Sequence, residues 1–154
     1  MKKLILFIAC GFGSGYLPKM PGTWGTIFAL IVYLTIPESF WMEYYAVVMV
    51  TLLFFTGVYI SGKAEAYLSH DDGRIVIDEI AGFFVSVLFL PKIWYFYIPA
   101  FILFRLYDIL KPWPINKLQS LKGGWGVMVD DIVAGVYTAV ILHLSWFMLR
   151  VWLS

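Results

Sequence analysis

Five apolar runs, at 24–37, 44–62, 76–91, 93–110 and 131–150, take up more than half of the chain and leave short polar stretches between them. A helix needs roughly 20 apolar residues to cross the hydrocarbon core of a bilayer, fewer if its ends are buried in protein. Open sheets cannot satisfy their backbone in lipid, so runs of this kind are read as helices. Composition agrees: 62% of residues are hydrophobic and 14% charged, and the mean hydropathy is +0.84, far from the balance of soluble domains. The expected fold is an all-α, polytopic membrane helix bundle of about five hydrophobic helices, forming a single domain over 1–154. The third run carries two acids, and Pro99 is expected to kink the fourth.

The N-terminus, MKKLILFIAC, resembles a short lipoprotein signal. Its apolar stretch Leu4–Ala9 is shorter than the usual core of about 7–15 residues. A retained, half-inserted or interfacial segment is therefore expected. The net charge of +1 argues against nucleic acid as a partner, which would need clustered Lys and Arg. The single cysteine, Cys10, allows no intrachain disulfide.

Alternating the runs across a bilayer places residues 1–23, 63–75 and 111–130 on one face. That face receives Lys2, Lys3, Lys19, Lys63, Arg74, Lys111, Lys117 and Lys122, and the other receives Lys92 and Arg150. By the positive-inside rule the first face is cytoplasmic. The polar stretches GFGSGYLPKMPGT, SHDDGRIVIDE, FRLYDILKP and KGGWGVMVDD all emerge there.

Acids inside apolar runs are costly and are usually paired or bind ions. At the entrance of a helix the macrodipole offers a simpler explanation. Two pairs, Asp78/Glu79 and Asp130/Asp131, together with Asp108, weigh against that simpler account. DEIAG and DIVAG align, and Asp78–Gly82 and Asp131–Gly135 are each i,i+4. A small residue on the acid's own face lets a second helix approach closely. The carboxylates are thus expected at a helix contact, where several can bind one or two hard cations. Mg²⁺ suits such a site because it takes oxygen ligands and also binds phosphate.

Arg105 and Asp108 are i,i+3 and share a helix face, with Lys111 one turn on. They form either an ion pair or a phosphate-and-metal pair, and substrate could exchange one state for the other. GFGSG lacks the ending of a P-loop and the dinucleotide fingerprint. It reads as a flexible turn or as an anion nest. Thr23 is a candidate N-cap for the first run, whose free N–H groups would attract phosphate. With only His70 and His143, no HExxH site exists; Cys10 has no arginine six positions on; and no Asp-x-Asp motif occurs. His143 reads as a packed or hydrogen-bonded histidine. Metal-assisted carboxylate chemistry remains.

Four stretches in order, GFGSGYLPKMPGTWGT, HDDGRIVIDEIAG, FRLYDILKPWPI and GGWGVMVDDIVAGV, resemble the phosphatidylglycerophosphatase A family of bacterial membranes. The resemblance runs from about residue 11 to about residue 136. It implies a Mg²⁺-dependent phosphatase domain that takes the terminal phosphate from phosphatidylglycerophosphate in the bilayer. It also implies a multi-pass protein of the bacterial cytoplasmic (inner) membrane, with its site facing the cytoplasm. The family's motif positions fall on Gly13, Ser14, Gly15, Pro21, Gly22, Thr23, His70, Asp71, Gly73, Asp78, Glu79, Arg105, Asp108, Lys111, Asp130 and Asp131. On chemical grounds Asp78, Glu79, Asp108, Asp130 and Asp131 are the expected metal ligands, with Asp78 and Asp131 favoured by their glycines. Arg105 and Lys111 would bind phosphate, aided by Gly13, Ser14, Gly15 and Thr23. His70 or Asp71 could protonate the leaving oxygen, and the nucleophile is either water or an aspartate. A small cation or proton carrier using the same acids is the alternative, and it requires polar residues continuing across the membrane.

Overall fold

The structure is a computed structural model, and it describes residues 1–69 and 72–153. The described residues form eight α-helices and one 3-10 segment: α1 (Lys2–Ala9), the 3-10 segment Gly11–Tyr16, α2 (Pro21–Thr35), α3 (Glu38–Trp41), α4 (Tyr44–Ala64), α5 (Ile77–Val87), α6 (Trp94–Leu110), α7 (Ile115–Leu118) and α8 (Gly124–Leu153). Among the described residues there is no strand.

The five apolar runs become α2, α4, α5, α6 and α8, but they are unequal. Two of them, α4 with 21 residues and α8 with 30, are long and apolar enough to cross a membrane. Helix α2 is a shorter apolar helix of 15 residues. The run at 76–91 gives only 11 helical residues, because the chain leaves the helix at Leu88 and Phe89 takes a positive φ of 58°. At 1.5 Å per residue α5 is about 16 Å long. It is the buried centre of the fold, packed against α2, α4, α6 and α8, with Ile80, Ala81, Phe83, Phe84 and Val87 in its core-facing positions. Pro99 does not end α6, which continues through it to Leu110.

The run at 131–150 also begins earlier than expected, at Gly124. Glycines before Asp130 read as turn formers in sequence. In the fold they serve close packing: a Cβ on Gly124 would strike the Val58 carbonyl oxygen and Ser61 Oγ of α4. Tertiary contact here outweighs the low helix propensity of glycine.

At one end of the bundle, Tyr33, Trp41, Phe83 and Phe84 form an aromatic core, with Tyr33 and Trp41 ring centres 5.0 Å apart. Lys92 donates to the Leu34 and Ile36 carbonyls at 2.6 and 2.8 Å, satisfying the open C-terminal end of α2. At the other end, α1 lies against α4, and the Val76 N–H donates to the Ala9 carbonyl at 2.9 Å. His143 behaves as expected of a bonded histidine. Its Nδ1 donates to the Ala139 carbonyl one turn back at 2.7 Å.

The loop before α5 is fastened by Arg74, whose Nε and Nη2 donate to Asp72 at 2.8 and 2.7 Å. These bonds hold the Asp72 carboxyl well below the usual carboxylate range. A depressed folded pKa means that the stabilisation is complete above the ordinary value near 3.9 and fades as pH falls through the lower folded value. Carbon-13 NMR should find Asp72 still ionised at about pH 3, and Arg74→Ala should return its midpoint to near 3.9.

Candidate active site

Helix α5 places two acids in its first turn, Asp78 and Glu79, where the macrodipole favours negative charge. The macrodipole does not account for the other pair. Because α8 begins at Gly124, Asp130 and Asp131 lie two turns inside it and have no acidic companion in the first turn. What brings Asp131 to Asp78 is the crossing of α5 and α8, the most extensive helix contact in the fold. A Cβ on Gly135 would strike the Gly82 carbonyl oxygen, and one on Gly82 would lie 2.7 Å from the Asp131 carbonyl oxygen. The two Asp-x-x-Ala-Gly segments therefore meet back to back, as their spacing implied.

One turn before that crossing, ligand oxygens of Asp78, Glu79 and Asp131 lie within 4.8 Å of one another. Asp78 and Asp131 are buried, at 8% and 2% exposure. Asp78 Oδ1, Glu79 Oε2 and Asp131 Oδ2 are buried without a hydrogen-bond partner. Buried polar atoms are rarely left so. At such separations each pair of like charges repels by about 3–4 kcal/mol at an effective dielectric near 20. A multivalent cation would resolve both costs, and three carboxylate oxygens are a suitable hard-ion donor set.

The remaining two expected metal ligands are held by cations. Arg105 Nη1 of α6 lies 2.5 Å from Asp108 Oδ2 and 3.6 Å from Glu79 Oε1. Lys111 closes α6 in a left-handed conformation, φ 42°, and its Nζ donates to Asp130 Oδ2 at 2.6 Å. Asp130 Oδ1 in turn accepts from the Asp131 N–H at 3.1 Å. Asp108 still adjoins the cluster through Arg105, which also faces Glu79. Five acids against two cations leave the ionised centre strongly negative, so it cannot receive an anion without added positive charge. Arg105 Nε, buried and without a partner, is a donor held in reserve.

The phosphate-side expectations divide. Thr23 is not the N-cap of α2; Met20 is, in a left-handed conformation, and Pro21 opens the helix. Proline at the first helical position needs no N–H partner and presets φ, so it moves the start back by three residues. Thr23 Oγ1 is nevertheless buried and unpartnered beside this end of the fold. Gly13, Ser14 and Gly15 lie in the 3-10 segment. Ser14 Oγ donates to the Gly11 carbonyl at 2.8 Å, and Gly15 packs on the Arg74 backbone. His70 and Asp71 fall outside the described residues. Gly22 is a site residue that its motif position alone did not single out. A Cβ there would strike Glu79 Oε1 and lie 3.0 Å from the Arg105 guanidinium. Only its place between Pro21 and Thr23, at the mouth of a helix, hinted at this.

The fold is thus a helical one whose three buried carboxylates, beside an arginine and a lysine, could hold a metal ion. The chain belongs to the phosphatidylglycerophosphatase A family, whose profile matches residues 7–146. It is accordingly an enzyme, a phosphatase. A phosphatidylglycerophosphatase A of Escherichia coli (strain K12) is 39% identical over 139 residues, covering 88% of this chain and 80% of that one. Its counterpart in Haemophilus influenzae is 34% identical over 152 residues, covering 97% and 90%. A Bacteroides thetaiotaomicron protein, provisionally named a phosphatidylinositol-3-phosphatase, is 37% identical over 150 residues, covering 92% and 93%. No solved structure matches the chain.

Proposed function

We propose that this protein hydrolyses the terminal phosphomonoester of phosphatidylglycerophosphate to phosphatidylglycerol and phosphate, with Mg²⁺, at the cytoplasmic face of the bacterial inner membrane. The observation that carries the reading is the cluster of unpartnered carboxylate oxygens on Asp78, Glu79 and Asp131 beside Arg105, in a chain of this family. Those three acids would hold the ion, with Asp108 and Asp130 at its margin. A bound Mg²⁺ would supply charge neutralisation of the phosphate and acidify an attacking water. Arg105 would exchange its contact with Asp108 for phosphate oxygens, using the planar fork that suits two oxygens at once. Lys111 would do the same from Asp130, as a point charge. Neither cation needs to travel, because each already faces the cluster.

The basic residues Lys2, Lys3, Lys19, Lys63, Lys117 and Lys122 support a cytoplasmic site by the positive-inside rule. Trp24, Trp113 and Trp125, 40%, 70% and 48% exposed, would anchor that face at the interface. The carrier alternative finds no support along α8. Beyond Asp131, the polar residues Thr138 and His143 bond to carbonyls of their own helix.

A second substrate, a phosphoinositide, is favoured only by the name of the Bacteroides relative. Phosphate release by purified protein is the test, with phosphatidylglycerophosphate, phosphatidylinositol 3-phosphate and a soluble phosphomonoester, each with Mg²⁺ and with chelator. Mg²⁺-dependent release, fastest from phosphatidylglycerophosphate, is expected. Release that chelation leaves unchanged would refute the metal reading, and a faster rate on the inositol lipid would reassign the substrate.

A further inference from the structure

The polar centre is not equally closed on all sides. Lys111 has 23% of its side chain exposed, against 13% or less for Arg105, Glu79, Asp108 and Asp130. Lys111 is thus the most open of these side chains, at the seam where its ion pair with Asp130 joins α6 to α8. The same seam continues into the apolar part of the bundle. Tyr107 lies in the last turn of α6, four residues before Lys111. On α8, Tyr137 and Ile141 lie seven and eleven residues past Asp130, which returns them to its face.

Tyr107, Val136, Tyr137, Val140 and Ile141 line an open groove of about 300 Å³. Near the site, the rings of Tyr107 and Tyr137 meet edge to face, 5.8 Å apart. The Tyr137 hydroxyl donates to the Trp113 carbonyl at 3.3 Å. This polar tip marks the level at which the groove turns from polar to apolar. From Asp130 to Ile141 the helix rises about 16 Å, roughly half of a hydrocarbon core about 30 Å thick.

We propose that the α6/α8 groove seats an acyl chain of the lipid substrate while the terminal phosphate reaches past Lys111 to the carboxylate centre. The proposal rests on the lipid-phosphatase reading above. Its support is continuity: one pair of helices carries the exposed cation, the paired tyrosines and the apolar trough, in that order along α6 and α8. A larger groove of about 420 Å³ between α1 and α4 is lined by Leu4, Ile5, Ile8, Phe55 and Tyr59 among others, and neither of those helices carries a residue of the site. A chain lying there would leave its headgroup away from the acids.

Lipid tails are as apolar as the groove, so occupancy brings no hydrophobic gain. Its benefit is position, holding the headgroup in register with the fixed carboxylates. The effect of filling the groove should thus be a weaker apparent affinity for long-chain lipid.

The test compares dioleoyl and dihexanoyl phosphatidylglycerophosphate with the full chain in mixed micelles. Val140 is 52% exposed, so a larger side chain there fills the trough without entering the core. Val140→Trp is expected to raise the long-chain KM by at least about fivefold, and to raise the ratio of long-chain to short-chain KM. Val140→Phe should move both in the same direction by less. Ile31→Trp, on a face of α2 that is 55% exposed and away from the groove, should stay within about twofold. Equal shifts in the Val140 and Ile31 variants, or none in either, overturn the groove while leaving the phosphatase reading intact. A wild type that releases no phosphate from either lipid overturns the reading, and the groove with it.

Discussion

Asp131→Asn is expected to lower Mg²⁺-dependent phosphate release by more than about 100-fold, beyond the 10–100-fold that loss of an outer partner costs at a metal site. The same substitution should raise the melting temperature measured in chelator. Asp131 is 2% exposed and shares a pocket with Asp78 and Glu79, so without a cation the wild type retains repulsion that the amide removes. Added Mg²⁺ should then reverse the order. An ion that binds only the folded state stabilises it by about 2.7 kcal/mol at 100 times its dissociation constant. Wild type should show that rise, and Asp131→Asn should have lost most of it. Asp78→Asn should behave alike, because its Oδ1 is likewise buried without a partner. Asp130→Asn should differ: Lys111 already engages its carboxylate at 2.6 Å, so the Mg²⁺-induced rise should survive. Thermal melts at a series of Mg²⁺ concentrations, read beside activity, separate these cases. A full Mg²⁺ response in Asp131→Asn would refute the three-acid site even if activity fell.

That contrast within one pair of neighbouring acids was legible only in part: the i,i+4 glycine favoured Asp131, whereas nothing in the sequence tied Lys111 to Asp130. Asp130 and Asp131 are adjacent and chemically equal there. They point apart because successive helical residues diverge by about 100°, and only Asp131 shares the stripe of Gly135. Which acid of DEIAG would do the same was harder to read. Asp78 has the i,i+4 glycine, yet Glu79 also joins the cluster because its longer side chain reaches toward Arg105, at 3.6 Å. The pairing of Lys111 with Asp130 depends on the left-handed turn that ends α6, a conformation that non-glycine residues seldom adopt and that no local signal announces. Helix positions were readable from apolar length, since each run became a helix. Helix ends were readable for α4 and α6, expected at 44–62 and 93–110 and found at Tyr44–Ala64 and Trp94–Leu110, but not for the other three. Pro21 drew α2 backward, packing on α4 extended α8 to Gly124, and the turn at Phe89 cut α5 short. In each case a tertiary contact or a single backbone conformation overrode composition.

Gly135→Ala should be the methyl that most damages the crossing of α5 and α8. The added Cβ would strike the Gly82 carbonyl oxygen and lie 3.0 Å from Val85 Cβ. A backbone oxygen held in its own helix cannot swing away as a side-chain tip can, so α5 and α8 must part. Overpacking of this kind costs about 1–3 kcal/mol of stability. The larger loss should be in activity, because the crossing sets the distance from Asp131 to Asp78 and Glu79. A displacement near 1 Å at a preorganised centre can cost about 100-fold. Gly82→Ala meets the same crossing from the other side, with Phe104 at 2.5 Å and the Asp131 carbonyl oxygen at 2.7 Å. Once one methyl has separated the helices, the second finds room already made. The double variant should therefore lose less stability than the two single losses added together. Denaturation midpoints of the single and double variants measure this directly. Strict additivity would mean that the two glycines do not share one contact.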